Sequence, residues 1–245
     1  TFEPKPATLK AFSKVNVYFS DGSGMDKAWM PRFKGVNKNV QVVELSKNMQ
    51  WMEGENHHHG EEHEADEANE HTSELAHEHH HELDPHIWTS PKRVLLIAQN
   101  VCDALVALDS AGKDVYTAQL AKFKERLEAL DKELQEAIAK LPVDRRTFIV
   151  FHPSYGYFAI DYGMKQLSIE VNGKEPKPKD LANLIEEGRE HGVHIVFVQP
   201  QFSKRAAGTI AKELNAVVVT TDPLAYDFAE NVRTLIKAIA QAAQK

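Results

Sequence analysis

The chain has 245 residues, 42% of them hydrophobic, which is enough for a real core in one large domain or two lobes. Its formal net charge of −7 argues against a nucleic-acid partner, because such a binder needs a basic surface to displace counterions. Cys102 is the single cysteine, so neither an internal disulfide nor a thiolate zinc cluster can form, and no run of about 18 apolar residues is present to insert into a membrane.

The first predicted element is a short helix, Ala7 to Lys14. The apolar run Val15 to Phe19 predicts a strand, closed by the loop Ser20-Asp21-Gly22-Ser23-Gly24, and a second strand is predicted at Val40 to Leu45. Residues 53–83 then hold eleven acidic side chains and no Lys or Arg, so the acidity belongs to this segment and the rest of the chain is net positive. Order resumes at Asp84-Pro85-His86-Ile87-Trp88. Ser90-Pro91 predicts a helix start, with Ser as cap and Pro at the first helical position, running to about Leu108.

Tyr116, Leu120, Phe123, Leu127, Leu130, Leu134, Ile138 and Leu141 recur at spacings of three and four, one apolar stripe on a long helix. From Asp114 to Lys140 it should span about 40 Å, until Pro142 ends it. Beyond it, strands (Thr147–Phe151, Leu167–Val171, Val193–Val198, Ala216–Thr220) alternate with helices (Ser154–Tyr162, Lys179–His191, Ser203–Leu214, Ala225–Gln244). Such alternation predicts an α/β fold with a mostly parallel sheet flanked by helices.

In open parallel sheets ligands sit at the carboxyl ends of strands. His152 follows one predicted strand and Asp222 another, and both are candidate metal ligands, although a loop His or Asp taken alone is more often a capping or hydrogen-bonding residue. His86 is a third, though from the residues alone a turn histidine packed on Trp88 is the slightly favoured reading. The acidic segment contains nine further histidines: His57, His58, His59, His63, His71, His77, His79, His80 and His81. Imidazole is a good zinc ligand and carboxylates supplement it, so this tract is expected to hold several ions weakly. Protons compete for the same nitrogens, so that binding should weaken below about pH 6.5.

Together these motifs resemble the zinc-uptake solute-binding proteins of bacterial ABC transporters. The resemblance is carried by Asp84-Pro85-His86-Ile87-Trp88-Thr89-Ser90-Pro91 after the His/Glu-rich loop, by Phe151-His152-Pro153-Ser154-Tyr155-Gly156-Tyr157-Phe158, by Thr221-Asp222-Pro223-Leu224 and by Thr1-Phe2-Glu3-Pro4-Lys5-Pro6. It implies two α/β lobes with parallel sheets, 1–112 and 142–245, joined by one long linker helix, 113–141, with the metal between them. It implies export to the periplasm or tethering outside the membrane, delivery of Zn2+ to a membrane permease driven by an ATPase, and a primary site made of His86, His152 and Asp222; the chain itself is expected to be a monomer. His at 152 points to zinc, since related manganese-binding members carry a carboxylate there and hard oxygen donors suit manganese. The family's first ligand, a His, falls just before Thr1. The chain begins without an initiator Met, which reads as a trimmed N-terminus; a chain complete as written would lack one strand and one ligand and bind less tightly. Gln199 stands where family members often carry Glu and reads as a structural or supporting residue.

Three rival readings stand beside this one. A zinc hydrolase would also use three ligands and a water, and His77-Glu78-His79-His80-His81 matches the His-Glu-x-x-His pattern, which a tract of this composition produces by itself. A periplasmic zinc buffer without a transporter would suit the loop. A manganese or iron carrier is the third.

Overall fold

The computed structural model describes residues 3–54, 83–171 and 173–244. The nine loop histidines and Glu78 therefore lie outside the described residues.

The N-terminal lobe opens with α1 (Pro6–Phe12), β1 (Val17–Ser20), α2 (Gly24–Val36) and β2 (Gln41–Glu44). The two strands pair in parallel, Val17 opposite Gln41 and Ser20 opposite Glu44. Phe12 of α1 stacks on Phe33 of α2 with ring centroids 4.6 Å apart, and Tyr18 of β1 closes the cluster edge-on. Asp26 ties α2 to the end of β1 by accepting from Ser20 Oγ at 2.6 Å and from the Asp21 N–H at 2.9 Å. Burial alone would raise the Asp26 carboxyl, but these hydrogen bonds and that of Tyr18 outweigh it and hold the group below the usual range.

A short 3-10 turn, Ile87–Thr89, leads into α3 (Pro91–Leu108). Asn100 of α3 donates to the carbonyls of Leu45 and Lys47, at 2.7 and 2.9 Å, fixing the helix to the exit of β2. The long helix α4 (Lys113–Ala139) follows. Its apolar stripe serves both lobes. Tyr116, Leu120 and Phe123 face Ile97, Val101 and Leu105 of α3 across an apolar groove, whereas Leu127, Leu130, Leu134 and Ile138 are buried, the last three in the core of the C-terminal lobe. Full burial of each Leu contributes about 2 kcal/mol, so the helix is anchored by its second half.

That lobe consists of β3 (Thr147–Val150), α5 (Gly156–Asp161), β4 (Lys165–Ser168), α6 (Pro178–Glu190), β5 (Ile195–Val198), α7 (Lys204–Leu214), β6 (Val217–Thr220) and α8 (Phe228–Ala242). The four strands are parallel in the order β4-β3-β5-β6. Alternate side chains serve opposite faces, as the pleat requires. Phe148, Val150, Ile195 and Phe197 pack on α4, α5 and α8, while Ile149, Leu167, Val196 and Val198 pack on α6 and α7. Gly192 ends α6 at φ +58°, and a Cβ there would meet the Asp144 carbonyl at 2.8 Å.

Several elements differ from the sequence-based expectations. The α2 helix has no counterpart among the predicted elements; Pro31 lies inside it and removes one helical N–H. α5 and α8 begin at Gly156 and Phe228, later than expected; ahead of α8 the chain turns, with the Ala225 N–H bonded to the Asp222 carbonyl at 3.0 Å. β4 starts at Lys165, although backbone bonds from Ile169 and Glu170 to Val150 and Phe151 continue the pairing past its end. Ser90 has the extended geometry of a cap but its side chain caps nothing. Its hydroxyl donates instead to Asp161 Oδ2 at 2.7 Å, because a carboxylate from the other lobe is within reach and is the stronger acceptor.

That bond belongs to a clasp between lobes. Arg93 of α3 grips Asp161 of α5 with two nitrogens, at 2.8 and 2.9 Å, and also donates to the Gln50 carbonyl at 3.1 Å. Tyr157 of α5 donates to the Asp84 carbonyl at 2.9 Å and accepts from the Met52 N–H at 3.1 Å. Burial pushes its phenol above the ordinary value. Among the described residues no helix is long and apolar enough to cross a membrane.

Candidate metal centre

The carboxyl edge of the C-terminal sheet sets out a row of polar groups. Since Val150 pairs with Ser168, His152 and Glu170 each lie two residues past their paired strand ends and meet there. Gln199 follows β5 by one residue and Asp222 follows β6 by two. The chain leaves β3 for β4 on one side and returns to β5 on the other, so His152 and Gln199 flank the point where strand order reverses. Crevices at such points take ligands.

His152 is fixed from three directions. Its Nδ1 lies 3.1 Å from both oxygens of Glu170, its ring stacks on Phe202 at 5.8 Å, and its backbone is bracketed by Gln199. The Gln199 amide accepts from the His152 N–H at 3.2 Å and donates to the His152 carbonyl at 2.7 Å. A carboxylate at 199 has no proton for the second bond. The side chain is buried, so its satisfaction within the fold matters.

His86 comes from the other lobe, at the entrance of the 3-10 turn. Asp84 Oδ1 accepts from its backbone N–H at 2.9 Å and lies 2.7 Å from its Nδ1. Asp84 is itself buried. A Cβ on Gly156 would stand 2.9 Å from Asp84 Oδ2, so glycine at that position leaves room for the carboxylate.

The two rings then face each other. His86 Nε2 and His152 Nε2 are 3.3 Å apart, with ring centroids at 5.1 Å. In the tautomer that gives each Nδ1–H to its carboxylate, both Nε2 lone pairs point into one gap. Two such lone pairs repel unless a cation lies between them. A tetrahedral zinc with Zn–N of about 2.0–2.1 Å requires its nitrogens to be about 3.3–3.4 Å apart, which is the spacing found. Histidine backed by carboxylate is also the usual arrangement behind a metal-bound imidazole.

Asp222 stands outside this pair. Its Oδ1 accepts from the Leu224 N–H at 3.0 Å, and no three His, Cys, Asp or Glu side chains are gathered as a metal-holding group among the described residues. Its charge nevertheless reaches Tyr155. Burial raises that phenol first and Asp222 adds to it, against the hydrogen bonds with Thr221 and Asn231. The packing of His86 on Trp88, with ring centroids at 5.4 Å, coexists with its place opposite His152. The sequence reading assigned no role to Asp84 or Glu170. The Asp-x-His spacing was the available signal for the first; the second needs the register of β3 and β4.

Residues 1–244 match the family described as zinc-uptake complex component A, periplasmic (ZnuA). The zinc-binding protein AdcA of Streptococcus pyogenes serotype M3 (strain ATCC BAA-595 / MGAS315) is 29% identical over 227 residues, covering 91% of this chain and 43% of AdcA. The chain thus spans less than half the length of the first curated relatives it matches. The metal ABC transporter substrate-binding lipoprotein FimA of Streptococcus parasanguinis is 27% identical over 237 residues, covering 91% of this chain and 70% of FimA. A crystal structure of ZnuA aligns with a TM-score of 0.84 at 34% identity, over 99% of this chain and 85% of that one. A zinc-bound ZnuA deletion mutant gives 0.83 at 34% identity, over 99% and 84%. With a long helix between two α/β lobes and a family match over nearly its whole length, this chain belongs to the periplasmic zinc-uptake component A family of solute-binding transport proteins.

Proposed function

We propose that this chain captures Zn2+ outside the cytoplasmic membrane and hands it to the permease of an ABC importer, acting as a carrier rather than an enzyme. His86 and His152 are the nitrogen donors and Asp222 supplies a third, oxygen, donor after turning from its bond with Leu224. The lobes 1–112 and 142–245 present these groups across helix 113–141. The observation that carries the reading is the 3.3 Å gap between two Nε2 atoms, each ring backed by a carboxylate through Nδ1. Asp84 and Glu170 are occupied in orienting these rings, which leaves neither as a free base for a metal-bound water and favours a carrier over a hydrolase. Relatives with printed names of zinc-binding protein and substrate-binding lipoprotein support the same class. The histidines of the 57–81 tract are assigned a secondary, weaker capacity.

Calorimetry with zinc and with manganese tests the proposal. One tight zinc site is expected, stronger than any manganese site, and His152→Ala should abolish it. Tighter manganese binding, or a tight site that survives in His152→Ala, would refute it.

A further inference from the structure

Asp222 lies between two anchors that belong to different lobes. On its N-terminal side, Thr221 is held by its own lobe: its N–H bonds the Val198 carbonyl at 3.1 Å and its hydroxyl meets Tyr155 Oη at 2.7 Å. On its C-terminal side, the Pro223 carbonyl accepts from Trp88 Nε1 at 3.0 Å. Trp88 sits two residues from His86 and packs against that ring. Past Pro223 the turn has little packing: Leu224 is 68% exposed and Tyr226 fully so. Two cavities, of about 730 and about 610 Å3, are both lined in part by Trp88. The indole N–H bridges the two lobes.

We propose that Trp88 is a positioning residue that couples the backbone of the Asp222 turn to the His86 turn, so that at the observed lobe separation the turn is held where its carboxylate can leave Leu224 and swing toward the ion. The inference rests on the carrier reading above and deepens it. One anchor fixes the turn to the sheet edge, and the other makes its far side follow the His86 turn. Loss of the indole N–H leaves the Pro223 carbonyl to water and the Asp222 turn attached on one side only. The donor then departs more readily, and the effect falls on release of the ion more than on its capture.

The experiment uses the full chain with zinc alone. Trp88→Phe, which keeps an aromatic ring at 88 and removes the donor, should raise the zinc dissociation constant about three- to tenfold, mainly through faster release. In an Asp222→Ala background the same change should add less than about twofold, because Trp88 acts through Asp222. A penalty equally large in both backgrounds overturns the proposal, as does an unchanged affinity in the single variant. Trp88→Tyr serves as the second variant should the first lose its fold by circular dichroism. A metal-free arm separates this inference from the carrier reading. Hydrogen exchange at the Leu224 and Ala225 amides should accelerate in Trp88→Phe while that of α8 stays constant. Unaltered exchange overturns the proposed coupling even if zinc binds. A wild-type chain that takes up no zinc sinks the carrier reading, and the exchange arm still decides the coupling.

Discussion

Glu170 stands to His152 as Asp84 stands to His86: a buried or nearly buried carboxylate on Nδ1 that leaves Nε2 facing the opposite ring. Such outer partners orient the imidazole and raise its basicity, and their loss typically costs 10–100-fold in metal affinity. Glu170→Ala and Asp84→Ala should each weaken zinc binding by about that factor in a chelator competition. A Glu170→Ala protein with wild-type affinity would show that the contact is incidental.

Gly156 tests the same relationship from the steric side. A methyl group there would press on Asp84 Oδ2 at 2.9 Å. Gly156→Ala should displace the carboxylate and lower zinc affinity, about tenfold, although position 156 touches neither imidazole. Wild-type affinity together with an unmoved Asp84 in a crystal structure of the variant would contradict this.

The clasp between lobes is a stability element. Asp161 takes three side-chain hydrogen bonds, from Ser90 and two nitrogens of Arg93, and both charged side chains are largely buried. Removing one partner of such a pair leaves the other charge uncompensated, so Asp161→Ala should cost about 3 kcal/mol. Urea unfolding of the metal-free protein measures it, and a loss below about 1 kcal/mol would place the pair in the weak class of surface bridges.

Deleting residues 54–82 should leave one tight zinc site and remove several weak ones in a titration. Disappearance of the tight site with the segment would move the primary ligands into it and away from His86 and His152.

His194 gives a pH dependence. Burial lowers its pKa first, and the Arg145 guanidinium lowers it further against the pull of Asp144. A histidine whose folded pKa lies below its unfolded value binds protons less readily when folded. Stability is therefore fully present above about pH 6.5, the unfolded value, and declines as pH falls from there toward the folded pKa. The His194 ring protons should titrate with a midpoint below about 6.5 by NMR, and His194→Gln should reduce the acid sensitivity of the melting temperature.

The C-terminal lobe was legible because its central strands are continuous apolar runs. Val196, Phe197 and Val198 are buried on both faces, and the helices between strands carry apolar stripes. α4 was legible to within one residue at each end because its spacing is unbroken. α2 was not, since Pro31 and two glycines blur its period and its burial rests on Phe33 and Asp26. At the site, His86 and His152 were readable as histidines at a turn and at a strand end. Their mutual distance was not, because it depends on how two lobes pack. Glu170 follows from strand register, which no local pattern encodes. Gln199 was read as a supporting residue; its two bonds to the His152 backbone give that role a geometry.

The residues flanking the histidine-rich stretch are stapled together. Glu53 and Leu83 form an antiparallel bridge, Asp84 N–H reaches the Met52 carbonyl at 3.0 Å, and Tyr157 from the opposite lobe bonds to both Met52 and Asp84. The two ends are thus joined at a closed neck, whose nearer pair, Met52 and Asp84, lies two residues before His86. Length costs little once a loop is closed at its base. The neck is therefore an insertion port: reporter peptides or tracts of other composition can be exchanged there while the geometry of His86 is set by the staple beneath it.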